Sequence, residues 1–398
     1  MSKIVFFCIP AYGHTNPTIE VVRELVKRGN QVHYYSFYEF RSRIEETGAV
    51  CIPCDDFMPP APADLDKKVG RDLSSLVDMT VDVTLAMEDK VLGELRAWKP
   101  DCIVSDSICI WGKLFAKKLN VPFVCSTTTF AFNQQTARLM KQSLSELLHM
   151  LSGMPRINAR LRQLRRHGYE IRQFYELLQN DNDTETIVYT SKEFQPMSET
   201  FSDKFTFTGP SLAVPKPSGH KKSRPLVYIS LGTVLNRQED FYRSCMEALK
   251  SEDVDVIMAV GGRTDVSDLG VIPDNFQIAP RVNQLEVLQE ADAFLTHCGM
   301  NSVSESLYFG VPMVLFPQQP EEGAVARRVQ EVGAGIMLGE ATAKKIRSAV
   351  NHILKSEEYK NNSERMSMSF HNAGGVKKAA EIIETVIVKA QNNMQNNI

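Results

Sequence analysis

The feature that most constrains this chain is an alternation of short, continuously apolar runs with helical patterns, and it occurs twice. Lys3–Ile9 reads as an apolar strand, Pro17–Arg28 as a helix closed by Gly29 and Gln31–Ser36 as a strand. Tyr38–Thr47 then reads as a helix closed by Gly48, and Ala49–Pro53 as a further strand. Strands that are apolar at every position are covered on both faces. Helical crossovers between them make the sheet parallel and doubly wound. Asp101–Val104 and Pro122–Ser126 continue the series, with a helix from Cys109 to Leu119 between them. Residues 134–180 break the rhythm: they are helical, Leu/Met-rich at first and arginine-rich later. Ile187–Thr190 and Phe205–Thr208 read as closing strands. Residues 209–225, rich in proline, glycine and lysine, have the composition of an exposed connection. The alternation restarts at Leu226–Leu231, with strands near Val254–Val260, Phe276–Ala279, Ala293–Thr296 and Met313–Phe316.

The expected class is therefore α/β, with two Rossmann-like, doubly wound domains over 1–208 and 226–375, a linker over 209–225, and a cleft between the two for a ligand. A chain of 398 residues is long enough for two full cores. Residues 376–390 form an amphipathic helix, and the Asn/Gln-rich residues 391–398 read as disordered. A formal charge of −3 gives no global attraction to nucleic acid, and no apolar run is long enough for a membrane span. The N-terminus enters a strand after one charge with no signal-peptide cleavage site, so the expected location is cytoplasmic. The eight cysteines lie mostly in apolar runs and read as reduced core thiols. Cys51 and Cys54 form a C-x-x-C pair with no second pair or histidine partner, which argues against a metal or redox site.

Ligands of parallel sheets sit at the carboxyl ends of strands. The first strand ends in Gly13-His14-Thr-Asn16-Pro17, where Gly13 permits a tight turn and Pro17 suits a first helical position. The Asp101–Val104 strand ends in Ser105-Asp106, on the same sheet edge. His14 with Asp106 is either a general base with its orienting carboxylate or a pair of helix-capping residues. In the second half, Ala293–Thr296 runs through His297 and Gly299 into a helix starting near Met300. Such a helix start offers backbone N–H groups to an anion, and His297, Asn301 and Ser302 stand beside it. Glu305, one turn on, can accept from sugar hydroxyls. Pyrophosphate plus ribose is the ligand this suggests, and an ordinary capped junction is the alternative. Ser230-Leu-Gly232-Thr233 can reach a phosphate or be a plain turn. Gln318-Gln319-Pro-Glu321-Glu322 can bind sugar hydroxyls or cap the next helix.

Taken in order, these motifs resemble those of family-one glycosyltransferases of the GT-B fold, and most closely the bacterial branch that glucosylates macrolides, flavonoids and other small phenols. The resemblance spans essentially the whole chain. It rests on Gly13-His14-x-Asn16-Pro17, Ser105-Asp106, Ser230-Leu-Gly-Thr, Arg281-Val282-Asn-Gln284, the block from His297 to Glu305, and Pro317-Gln-Gln-Pro-Glu. It implies that His14 is the catalytic base and Asp106 its partner. It also implies that Arg281, Val282 and Gln284 hold the uridine and that His297, Asn301 and Ser302 bind the diphosphate, with Ser230, Gly232, Thr233 and Gly299 as further donor-site candidates. Glu305 would bind the ribose, and Glu321 and Glu322 the donor sugar. The implied reaction is inverting transfer of a hexose, first of all glucose from UDP-glucose, to a hydroxyl of a small apolar acceptor, with no metal or other cofactor required. The implied partners are these two small molecules, with no nucleic acid and no integral membrane segment. In this fold the last helix returns to the first domain.

Four positions depart from the family pattern: Cys298 stands where a glycine is usual, Arg281 where many members carry a stacking tryptophan, Asn283 where a proline is usual, and Glu322 where a glutamine is usual. The last bears on the donor sugar, since a carboxylate accepts hydrogen bonds but donates none. Phe57, Met58, Phe130, Phe132 and Met140 are candidates for an apolar acceptor site, with core packing as the alternative. The run from Arg156 to Arg172 reads as a solvated helix face, with an anionic acceptor or a membrane surface as the lesser alternative. Two rival functions on the same fold are a nucleotide-sugar epimerase, favoured only by the Glu321/Glu322 pair, and a non-catalytic partner of a transferase, which would not need His14.

Overall fold

A computed structural model of the chain describes residues 1–58, 73–137, 144–178, 183–216, 223–233 and 236–396. The first sheet is built from β1 (Lys3–Phe7), β2 (Gln31–Ser36), β3 (Val50–Pro53), β4 (Cys102–Asp106), β5 (Phe123–Thr127), β6 (Thr186–Val188) and β7 (Phe205–Phe207). All pairings are parallel, in the order β3-β2-β1-β4-β5-β6-β7. Side chains alternate across a strand, so Val5 and Phe7 of β1 enter one core layer while Ile4 and Phe6 enter the other. That double burial is why Ile4–Phe7 are all apolar. The second sheet holds β8 (Leu226–Ser230), β9 (Asp255–Ala259), β10 (Phe276–Ala279), β11 (Ala293–Thr296), β12 (Met313–Leu315) and β13 (Gly335–Met337). It is also fully parallel, in the order β10-β9-β8-β11-β12-β13. Winding reverses between β1 and β4 in the first sheet and between β8 and β11 in the second. A parallel sheet opens a crevice at its carboxyl edge at such reversals.

The chain divides into two units: residues 1–189, 197–211 and 376–398 in the first, and residues 190–196 and 212–375 in the second. Thr190–Pro196, placed by sequence in the first domain, belongs with the second. There Arg328 donates to the carbonyls of Phe194 and Glu193, and the Phe194 ring packs on Phe370. The terminal helix Gly375–Asn396 lies in the first unit, where Ala379, Ala380, Ile383 and Ile387 are buried against β1 and the helix Tyr12–Lys27. Glu384 accepts from Arg28 Nη1 and Asn30 Nδ2, both at 2.9 Å. The expectation of disorder from residue 391 is corrected: the helix continues to Asn396 on the strength of that docked face.

Other differences are local. The first helix starts at Tyr12 rather than Pro17, because the Ala11 carbonyl takes the N–H groups of both His14 and Thr15 and closes a turn before the proline. The long helix Leu73–Trp98 has no counterpart in the sequence pattern. Its β-branched stretch Val77–Thr84 is a poor helix former; burial of Val77, Val81, Val91 and Leu95 in the core overrides that preference. Arg156 and Arg160 are not simply solvated, since they pair with Asp78 and Asp82 of this helix. Cys51 and Cys54 are buried free thiols, and burial pushes the Cys51 thiol up to about 11. Among the described residues no helix is long and apolar enough to cross a membrane.

Candidate active site

In the first unit, His14 and Asp106 come from the two strands that flank the winding reversal. His14 lies in the first turn of the helix that follows β1, and Asp106 is the last residue of β4. His14 Nδ1 lies 2.8 Å from Asp106 Oδ2, with the carboxylate side chain fully buried and the imidazole partly open. The other carboxylate oxygen, Oδ1, accepts the Ile108 N–H at 2.8 Å, so the group is held at both ends. A carboxylate can only accept, which puts the proton on Nδ1 and the lone pair on Nε2. Thr128 Oγ1 also approaches Nδ1, at 3.0 Å.

Beside Asp106 is a cavity of about 190 Å³, walled largely by apolar side chains that include Ile110, Phe130 and Phe132. An apolar hole of roughly 150 Å³ accepts one benzene ring, so this one has the volume of a single substituted ring. Phe57 and Met58 instead pack against the core, with Lys90 Nζ over the Phe57 ring at 4.3 Å. Met140 lies outside the described residues.

In the second unit, β8 and β11 flank the reversal. β8 ends at Ser230 and leads to Gly232 and the exposed Thr233, and β11 leads to His297. The imidazole of His297 is wedged between two glycines. A Cβ at Gly232 would stand 2.6 Å from Cε1, and one at Gly299 2.6 Å from Nε2, so neither position tolerates a side chain. Gly232 has φ +74° as well. Cys298, between His297 and Gly299, adopts φ +71°. That left-handed conformation costs a non-glycine residue about 1 kcal/mol or more, which gives a physical reason for the glycine usual at this position. Among the described residues His297 Nδ1 is buried without a hydrogen-bond partner, beside the helix Met300–Tyr308, whose N-cap Gly299 brings no side-chain oxygen to the first turn.

Burial pushes the His297 ring down from 6.5 to about 4, opposed by a hydrogen bond to the Ser230 main chain. The sign is that of a histidine disfavoured in its charged form. Its contribution to stability is full above about pH 6.5 and is lost as pH falls towards 4, because the unfolded chain takes up the proton first. Urea unfolding at pH 7.5 and pH 5 should therefore show a smaller acid loss in His297→Gln than in the wild type, by about 1–3 kcal/mol. Equal acid losses in the two proteins would contradict this.

The uridine candidate Gln284, the ribose candidate Glu305 and the diphosphate candidate Ser302 meet in one network. Gln284 Nε2 donates to Glu305 Oε2 at 2.6 Å and to Ser302 Oγ at 3.2 Å, while its Oε1 accepts the Tyr228 hydroxyl at 3.0 Å. Tyr228 is not among the sequence candidates: it lies inside β8, where an aromatic residue reads as core. Arg281 is exposed just beyond β10, and Val282 and Asn301 are half-buried. Asn283 serves as the N-cap residue of Gln284–Glu290.

At the end of β12, Glu322 is drawn into its own helix. Gln319 is the N-cap of Pro320–Glu331 and Glu322 its third residue, in a capping box. Glu322 Oε2 accepts the N–H groups of Gln318 at 2.7 Å and Gln319 at 3.0 Å. Burial raises its pKa, against the pull of those two bonds. Glu321 is exposed. Among the described residues Gln318 keeps a buried Nε2 without a partner, and it accepts from Gln238 through Oε1 at 3.0 Å.

Residues 243–387 match the family described as erythromycin biosynthesis protein CIII-like, C-terminal domain. Over 97% of this chain and 98% of the relative, the sequence is 36% identical to the NDP-glycosyltransferase YjiC of Bacillus licheniformis. The chain is a family-one glycosyltransferase. It is also 31% identical to the uncharacterized UDP-glucosyltransferase YojK of Bacillus subtilis, over 98% of this chain and 99% of that one. The crystal structure of the calicheamicin glycosyltransferase CalG4 superimposes with a TM-score of 0.82 at 27% identity, covering 98% of this chain and 99% of that one. The glycosyltransferase thus has the GT-B fold and depends on a nucleotide sugar. The two winding reversals are where its candidate base and its candidate diphosphate loop lie.

Proposed function

We propose that this glycosyltransferase moves a hexose, most readily glucose from UDP-glucose, to a hydroxyl of a small apolar acceptor such as a macrolide, a flavonoid or another phenol, with inversion at the anomeric carbon. The observation that carries the reading is the 2.8 Å contact between His14 Nδ1 and the buried Asp106 carboxylate at a strand edge. With the proton on Nδ1, the Nε2 lone pair takes the proton of the acceptor hydroxyl. The acceptor oxygen bonds to the anomeric carbon as the bond from that carbon to the diphosphate oxygen breaks, and the electron pair leaves with UDP. Asp106 stabilises the imidazolium that results. The unpartnered Nδ1 of His297 and the N-terminus of Met300–Tyr308 would face the charge gained by the leaving diphosphate, the role a cation plays elsewhere. A diphosphate oxygen opposite Nδ1 would also favour the protonated ring.

Glu305 and Gln284 would read the ribose and uracil, with Arg281 offering its guanidinium plane to the base. Glu321 would meet the sugar hydroxyls, and Glu322 would do so through Oε1, since Oε2 is held by its own helix. The cavity lined by Phe130 and Phe132 supports an apolar acceptor of which one ring is enclosed. The erythromycin-type family match and the glucosyltransferase relative support the natural-product and glucose parts of the reading. The test is UDP release from UDP-glucose in the presence of EDTA, with and without macrolides, flavonoids and simple phenols. Acceptor-dependent release is expected. Release that is equal without any acceptor, or that is lost in EDTA and restored by magnesium or manganese, would overturn the proposal.

A further inference from the structure

His14 Nδ1 has two oxygen neighbours on the same side of the ring, Asp106 Oδ2 at 2.8 Å and Thr128 Oγ1 at 3.0 Å. They come from adjacent strands. Asp106 ends β4, whose last pairing with β5 is Asp106 with Ser126, and Thr128 is the first residue past β5. Thr128 is buried, so its hydroxyl is shaped by the protein rather than by solvent. The carboxylate has no proton to give, so the single hydrogen between ring and oxygens belongs to Nδ1. The Thr128 oxygen then meets the same N–H as a second acceptor, and its own proton points elsewhere.

We propose that Thr128 is a positioning residue for the transfer step: its hydroxyl shares the Nδ1–H with Asp106, fixes the plane of the imidazole and keeps the Nε2 lone pair aimed at the acceptor hydroxyl. This rests on the reading of His14 as the base. One acceptor alone lets the ring tilt about its hydrogen bond, whereas two from neighbouring strands define its plane. Asp106 cannot follow a tilting ring, because Ile108 N–H holds its other oxygen. As the ring gains a proton at Nε2, positive charge grows on Nδ1–H, and both contacts strengthen at the moment of reaction. Asp106 is the charged group in direct contact with the ring, and three further titratable groups lie near it. Burial pushes the thiols of Cys8, just after β1, and Cys109, after β4, far up, and likewise the Tyr189 hydroxyl beyond β6, so all three stay neutral.

The test compares Thr128→Val, which keeps the branched shape without the hydroxyl, with Thr128→Ser, which keeps the hydroxyl, on an alcohol acceptor. Thr128→Val should lower kcat about ten-fold, the value of one hydrogen bond to a group that becomes charged, with the donor KM within about two-fold of the wild type's. Losing an acceptor that stabilises the protonated ring should also move the acid limb of the kcat profile to lower pH. Thr128→Ser should restore most of the rate and the position of that limb. In a His14→Ala background Thr128→Val should cost nothing more. A wild-type kcat in Thr128→Val, a lower kcat with an unmoved acid limb, a raised donor KM as the main effect, or equal damage from Val and Ser would each overturn the proposal. If a thermal melt shows Thr128→Val unfolded, Thr128→Ala replaces it in the same comparison with the same outcomes. Normal turnover by His14→Ala alone would instead overturn the base assignment, and this proposal with it.

Discussion

Replacing His14 with alanine should lower kcat on an alcohol acceptor by about two to four orders of magnitude, the usual contribution of a positioned general base. UDP affinity should hardly change, because the residues proposed for the nucleotide lie in the second unit while His14 lies in the first. The acceptor matters to this test. An alcohol keeps its proton at neutral pH and needs a base, whereas an unusually acidic phenol ionises unaided and would mask the loss. Single-turnover rates with an alcohol, alongside UDP titration calorimetry, check both halves. Near-normal turnover would refute the role.

The second large effect is at Asp106. An asparagine there has one oxygen and one NH₂ to place. The Ile108 N–H at 2.8 Å claims the oxygen, which leaves the NH₂ facing His14 Nδ1. The ring must then accept at Nδ1 and carry its proton on Nε2, the atom that has to take the acceptor's proton. Asp106→Asn is therefore expected to hold the wrong tautomer and to lose about two to four orders of magnitude in kcat, as tautomer errors in histidine–aspartate pairs do. Because Asp106 acts through His14, the double variant should be little slower than His14→Ala alone. Measured kcat values for the two single variants and the double variant decide this. Fully additive losses would show that Asp106 does something other than orient the imidazole.

Much of this architecture is legible in the residues because both faces of each sheet are buried. A strand such as Lys3–Phe7 or Ala293–Thr296 then carries a nearly unbroken apolar run and stands out from the helical patterns beside it. What the pattern hides has local causes. Pro17 looks like a helix start, yet the turn is closed earlier by the Ala11 carbonyl. The β-branched helix Leu73–Trp98 exists by tertiary burial against its own propensity. The polar residues 391–396 are helical because the preceding turns dock on a core.

The site divides in the same way. His14 and Asp106 can be paired from sequence because both follow recognisable strands on one sheet edge. Thr128 cannot be chosen from the run Ser126–Thr129 until the register of β4 on β5 is known. Tyr228 is hidden because its ring belongs to the core while its hydroxyl reaches Gln284. Glu322 shows the converse case: a residue chosen for its chemistry proves to have half its carboxylate engaged by the backbone of its own helix.

The most direct measurement of the central claim is the anomeric configuration of the product. A single displacement assisted by His14 inverts the α-linked glucose of UDP-glucose, so proton NMR of the purified glucoside should show a β-anomeric doublet with a large coupling. A glucoside retaining the α configuration would contradict direct attack by a base-activated acceptor, and with it the proposed roles of His14 and Asp106.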